Sequence, residues 1–259
     1  MVNEGEIILS VKGLKKTFGG LHAIDGLDID VKCGNIHGLI GPNGAGKTTF
    51  FNVITGILPA TGGKVFFESH DVTMYKPEKI AEMGISRTFQ AGKIVPGMTV
   101  LDNVMTGAYR ITRTDVLGTF FHPPFTISGQ EKRIRDKAFE LLNMVGMSDA
   151  SDRWAADLVW VERQLIQIAR AMAAEPKLLL LDEPTGGMGA EESQRVAEMI
   201  YMVRKEFGVT VVVVGHDMTL VLGISDRITC INFGKKICEG TPADIRCDPN
   251  VLEAYLGKE

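Results

Sequence analysis

The sequence predicts an α/β fold: a mostly parallel sheet flanked by helices, with a small antiparallel β subdomain and a helical subdomain. Three observations predict it. Leu178–Leu181 is wholly apolar and Val209–Val214 is apolar apart from Thr210, as expected of strands covered on both faces. Helical stripes alternate with them, such as Val196, Met199, Ile200, Val203 and Phe207 within Glu191–Phe207. A glycine-rich turn, Gly41-Pro42-Asn43-Gly44-Ala45-Gly46-Lys47-Thr48-Thr49, joins a short buried strand over 35–40 to a helix leaving at Lys47.

That turn fits G-x-x-x-x-G-K-[ST], a loop whose backbone N–H groups wrap phosphate oxygens. The helix over 47–57 carries Phe50, Phe51, Val53, Ile54 and Ile57 on its apolar side. Its N-terminus adds partial positive charge to the loop amides, which favours an anion before any side chain is counted. At average glycine usage, chance yields this pattern about one time in a hundred in a chain of this length. The expectation is a nucleotide phosphate site.

The 259 residues fit one large domain with a subdomain better than two equal domains. There are 28 Lys and Arg against 32 Asp and Glu, with no basic block, which argues against a nucleic-acid partner. Cys33, Cys230, Cys238 and Cys247 show no zinc spacing and are read as thiols of a reducing cytosol. No signal-peptide core follows the acidic N-terminus, and no apolar run is long enough to span a bilayer. A membrane role is therefore expected to run through a partner.

In chain order, Ile7–Val11 and Leu27–Val31 read as strands, the second alternating Leu27, Ile29 and Val31 with Asp28 and Asp30. Between them Phe18 sits on a strand end beside a glycine turn. Stacking on an adenine ring and packing in the core suit that position equally. After the phosphate helix, 64–68 resumes strand, which suggests the antiparallel sheet. From Ala91 to about Met147 the pattern is helical, with Gly118–Gln130, which holds Pro123 and Pro124, as a loop or a break between helices. Gln164–Ala174 is another helix, stopped by Pro176.

The strand Leu178–Leu181 ends in Asp182-Glu183. A buried strand has no stability reason to finish on adjacent acids. One acid can hold Mg²⁺, usually through water, while its neighbour orients the attacking water. Val209–Val214 leads at once to His216, at the carboxyl edge where open parallel sheets bind ligands. A hairpin turning near Gly234 and an acidic-and-apolar segment, Asp248–Leu256, close the chain.

With the phosphate loop, Gln90, the Leu178–Glu183 strand and His216 in this order, the chain resembles the ATP-binding subunits of ABC transporters over essentially its whole length. Ile85-Ser86-Arg87-Thr88-Phe89-Gln90, Met98-Thr99-Val100, Gly223–Ile228 and the closing Asp248–Gly257 look like the ATPases of branched-chain amino-acid uptake systems, a group whose relatives also import urea and short-chain amides. The resemblance implies one ABC-type ATPase domain over 7–259 with a helical subdomain at about 91–170 that receives a permease's coupling helix. It implies ATP and Mg²⁺ as cofactors. Phe18 would stack on adenine and Gly41, Pro42, Asn43, Gly44, Ala45, Gly46, Lys47, Thr48 and Thr49 would wrap the phosphates. Thr48, Gln90 and Asp182 would serve the metal, Glu183 would be the general base, and His216 would contact the γ-phosphate. The implied partners are transmembrane permease subunits, a second ATPase subunit (a different one, or a second copy) and, indirectly, a solute-binding protein, on the cytoplasmic face of the cell membrane.

One departure stands out. Where the family carries L-S-G-G-Q or L-S-Y-G-Q, this chain has Leu158-Val159-Trp160-Val161-Glu162. The serine that donates to a γ-phosphate is Val159, the glycine is Val161, and Glu162 brings a negative charge. Because each family member gives its signature to the other subunit's ATP, the defect would fall on the partner's site. Gly186–Ala190 also lacks the aspartate many members carry. Two other readings stay open: a soluble ATP-driven switch outside any transporter, and an ATP clamp that hydrolyses weakly.

Overall fold

The computed structural model describes residues 5–88, 94–108, 125–215 and 218–256. Strands β1 (Ile7–Phe18) and β2 (Leu21–Lys32) form a long hairpin that continues well past the predicted strand ends. Several register shifts interrupt their pairing, and each such bulge breaks the alternation from which strand ends are read. With β4 (Gly62–Phe67) and the short β5 (His70–Asp71), they make an antiparallel sheet ordered β2-β1-β4-β5.

The second sheet has the order β10-β9-β3-β8-β7-β6. It contains β3 (Ile36–Ile40), β6 (Ile85–Arg87), β7 (Leu178–Asp182), β8 (Thr210–Val214) and β9 (Arg227–Asn232), paired parallel throughout, with β10 (Lys235–Gly240) antiparallel at one edge. Every residue of β3, β7 and β8 is buried, so their predominantly apolar sequences follow from cover on both faces. Register aligns Leu39 with Val214 and Val214 with Asp182. The carboxyl ends of β3, β8 and β7 therefore meet one edge.

Helices α1 (Lys47–Ile54), α2 (Pro77–Met83), α6 (Ala190–Phe207), α7 (Met218–Ile224), α8 (Pro242–Cys247) and α9 (Pro249–Leu256) belong with these sheets. Phe50 and Phe51 of α1 pack in one apolar core with Leu9, Val11, Phe67, Leu180 and Val212. Truncating either ring would cost about 3–5 kcal/mol, so the phosphate helix is anchored by its own core face. It ends at Ile54, a turn earlier than its apolar stripe suggests, because Thr55 Oγ1 donates to the Phe51 carbonyl and Gly56 turns left-handed (φ 71°).

Residues Thr88–Pro176 form a separate compact unit, built from α3 (Val100–Met105), α4 (Phe125–Met144), α5 (Trp160–Met172) and short 3₁₀ turns. Of the loop or break expected over Gly118–Gln130, residues 118–124 lie outside the described residues, and 125–130 are corrected to helix. Proline is tolerated in the first turn of a helix, where its missing N–H costs nothing, so two prolines just ahead of Phe125 do not oppose a helix starting there. Asn103 is fully buried in this unit, its amide bonded to the Val95 and Thr99 carbonyls and its carbonyl accepting from Val95 N–H. Among the described residues no helix is long and apolar enough to cross a membrane.

Candidate nucleotide site

The phosphate loop leaves β3 and is pinned by its neighbours at three points. A Cβ on Gly41 would strike the Ile231 carbonyl of β9, and one on Gly46 would strike the Ala23 carbonyl of β2. Between them the Ala45 carbonyl accepts from Gly234 N–H (3.0 Å), and Gly234 in turn accepts from Asp25 N–H (2.9 Å). Gly46, at φ 105°, also needs the backbone freedom of glycine. Asn43, Gly44 and Thr48 are exposed, and Ala45 is buried.

Two features of this loop fit a bound phosphate. No side chain caps the N-terminus of α1, and no acid lies in its first turn, so its orphan amides face no internal anion. The Lys47 ammonium is buried and donates to the Gly41 (2.6 Å) and Pro42 (2.9 Å) carbonyls, over the loop itself. Burial holds it below the usual lysine range, opposed by the nearby Glu183 and Asp182 carboxylates.

Asp182 closes β7, buried, and Glu183 follows at φ 48°. A left-handed glutamate is strained, and such strain persists where neighbours over-determine it. Here Glu183 N–H donates to the Val214 carbonyl (2.8 Å), and the Glu183 carbonyl accepts from Gly186 N–H (3.1 Å). The strand register and this turn carry Asp182 and Glu183 to the edge from which the phosphate loop departs.

The structure also places two residues in the site to which the sequence reading assigned no role. Arg87, at the end of β6, donates from Nη2 to Asp182 Oδ2 (2.7 Å) and from Nη1 to Asn52 Oδ1 of α1 (2.7 Å). Its guanidinium lies 5.3 Å from the Phe51 ring centroid. A cation at the end of the short strand Ile85-Ser86-Arg87 is the signal that could have found it; nothing in the sequence pairs it with Asn52.

Phe18 is 45% exposed at the tip of the β1–β2 hairpin, with the Lys16 ammonium 5.0 Å from its ring centroid. It is therefore no core residue, and a cation already lies over one face of its ring. Gln90 and His216 lie outside the described residues. Among the described residues no three His, Cys, Asp or Glu side chains are grouped to hold a metal. An open groove of about 910 Å³ between α6 and α7, lined by Met188, Ser193, Tyr201, Leu220 and Ser225 among others, contains none of these residues.

The altered signature starts α5. Glu162 Oε2 accepts from Val159 N–H (3.0 Å), and Arg153 pairs with the same carboxylate (3.1 Å). So while α1 presents an uncapped N-terminus, α5 closes its own with an internal acid. Val159 and Trp160 project outward, 59% and 39% exposed.

The ABC transporter family profile matches residues 24–186, from the phosphate loop through both carboxylates. The chain belongs to the ATP-binding subunits of ABC transporters. A profile described as the branched-chain amino acid ATP-binding cassette transporter matches 235–259. Among curated relatives, the high-affinity branched-chain amino acid transport ATP-binding protein LivG of Escherichia coli is 36% identical over 251 residues, covering 97% of this chain and 98% of that protein. BraF of Pseudomonas aeruginosa, with the same description, is 37% identical with the same coverage. A solved ATP-binding cassette of an ABC transporter, in its ADP conformation, superposes with a TM-score of 0.84 at 31% identity, covering 98% of this chain and all of that one. As a member of this family the chain is an ATPase that uses ATP with Mg²⁺, works as a dimer of cassettes and serves transmembrane permease subunits.

Proposed function

We propose that this ABC ATPase powers a membrane importer for branched-chain amino acids or a related small polar solute such as urea or a short-chain amide. The observation that carries the substrate class is the match of the C-terminal 235–259 to the branched-chain profile. It lies outside the catalytic core that all such ATPases share. The chain would sit peripherally on the cytoplasmic face, its helical insert at about 91–170 receiving the permease. Deleting the gene and measuring uptake of radiolabelled leucine, urea and acetamide tests the reading; normal uptake of all three overturns it.

For the chemistry, the loop from Gly41 to Thr49 would hold the phosphates, with Lys47 on the β- and γ-oxygens and Phe18 under the adenine. Thr48 would ligate Mg²⁺ and Asp182 would support it through water, with Gln90 beside it. Glu183 would take the proton of the attacking water, and His216 would contact the γ-phosphate. Positioning and electrostatic stabilisation account for most catalysis of this type. The uncapped α1 N-terminus and the strained Glu183 support this reading.

The self-capped signature favours pairing with a second, different ATPase subunit, since a homodimer would use the altered signature at both sites. A second reading, a subunit that clamps ATP and turns it over slowly, draws on the same Glu162–Val159 contact. ATPase rates of the isolated chain and of the complex purified from its own membrane separate the two.

A further inference from the structure

We propose that Arg87 is a positioning residue that keeps divalent-cation binding at Asp182 conditional on nucleotide. The inference rests on Asp182 as the metal-supporting carboxylate. Arg87 and Asp182 are an ion pair sealed from solvent, their side chains 6% and 1% exposed, at 2.7 Å. In such a setting a carboxylate is a strong anchor for a divalent cation, and an unpaired one would be a standing cation trap. The guanidinium cancels that charge and engages Oδ2 directly. Its second arm is held by Asn52 Oδ1 and its face lies over Phe51, so the fork is fixed to the phosphate helix and to β7 at once. A planar guanidinium bonds two acceptors in one fixed geometry; an ammonium is a point charge.

The consequence is an order of events. A cation approaching Asp182 alone meets a carboxylate already neutralised, and gains little. A cation carried by nucleotide phosphates brings its own counter-charge and needs Asp182 only as an acceptor for a bound water. Arg87 thereby favours metal that arrives with ATP over metal that arrives alone. Because Asn52 lies on α1, whose first residue is Lys47, the same fork ties the acid's position to the helix that carries the phosphate loop.

The test uses the purified full chain and Mn²⁺, followed by the electron paramagnetic resonance of the free ion. Without nucleotide, Arg87→Gln is expected to bind Mn²⁺ about 10-fold or more tightly than wild type, and the double variant Arg87→Gln/Asp182→Asn is expected to return to the wild-type level. Equal Mn²⁺ binding by Arg87→Gln and wild type overturns the proposal, as does tightening that survives Asp182→Asn. Removing Arg87 leaves a buried acid without its counter-charge and can prevent folding; in that event Arg87→Lys decides. It keeps the charge but not both arms, and about threefold tightening is expected, with wild-type binding overturning the idea. Asp182→Asn alone, titrated with Mn²⁺ and a non-hydrolysable ATP analogue, checks the underlying role of Asp182 separately: unchanged Mn²⁺–nucleotide affinity refutes that role and not the pairing.

Discussion

Restoring the signature at the start of α5 is the perturbation that most directly tests the division of labour between this chain and its partner. The variant is Val159→Ser/Val161→Gly/Glu162→Gln. Val159 has φ −73° and ψ 167°, the extended geometry of an N-cap, which serine adopts readily. A serine hydroxyl donating to a γ-phosphate is a charge-assisted bond of about 1.5–3 kcal/mol, equivalent to roughly 10- to 150-fold in rate. Glu162→Gln removes the negative charge now lodged 3.0 Å from Val159 N–H. Against this, glycine within a helix costs up to about 1 kcal/mol, the buried Val161 side chain gives up about 1.5–3 kcal/mol of apolar burial, and the Arg153–Glu162 pair contributes less than about 1 kcal/mol. The stand-alone ATPase rate of the isolated chain is therefore expected to rise at least about 10-fold, with a measurable loss of thermal stability. A phosphate-release assay on purified chain, with circular dichroism to confirm the helix, reads both. A folded variant that binds ATP and still turns over within twofold of wild type refutes the reasoning.

Other outcomes follow from the same geometry. Glu183→Gln is expected to keep ATP binding while turnover falls about 100-fold or more, measured by filter binding and phosphate release; near-normal turnover would move the base elsewhere. Gly46→Ala puts a Cβ against the Ala23 carbonyl at φ 105°, so ATP affinity by calorimetry is expected to drop at least about 10-fold. Gly208→Ala, also at positive φ but with open space around it, is expected to lower stability without touching affinity. Buried His37, bonded to Thr229 Oγ1 at 2.9 Å, has its imidazole pushed down to about 4, first by burial and also by Arg227 and Lys236, against Glu239. The unfolded chain then binds a proton that the folded one refuses, so this stability is present above the unfolded value of 6.5 and lost as pH falls through 4. Between pH 8 and pH 5 the loss is about 2 kcal/mol, and urea unfolding of His37→Gln is expected to lack that component.

Much of the fold was legible because its elements are set by local patterns. The glycine turn, the apolar runs of β7 and β8 and the stripe of α6 each carry their own structural instruction. Strand ends in the β1–β2 hairpin were not legible, since bulges shift the pairing without leaving a residue-type mark. The helical start of α4 was hidden by two prolines read as a break, although proline is compatible with the first turn of a helix. The tail over Asp248–Leu256 showed only composition; in the structure Asp248 Oδ1 accepts from Asn250 N–H (2.8 Å) and begins helix α9.

The sequence by itself determined the chemistry that depends on residue type at close spacing. The glycine-rich loop with its lysine, and separately the paired acids that end a buried strand, are each short contiguous patterns, so residue type and order suffice to find them. The altered signature was equally plain, as valines and an acid where a hydroxyl and a glycine belong. Only the tertiary structure decided what those residues touch. Glu162 caps its own helix, and Arg87 joins Asp182 to Asn52 across separations of 95 and 35 residues. Sheet order decides such pairings: β6 lies beside β7, and parallel register brings their carboxyl ends together. A long-range ion pair depends on where strands lie in a sheet, and no local propensity encodes that.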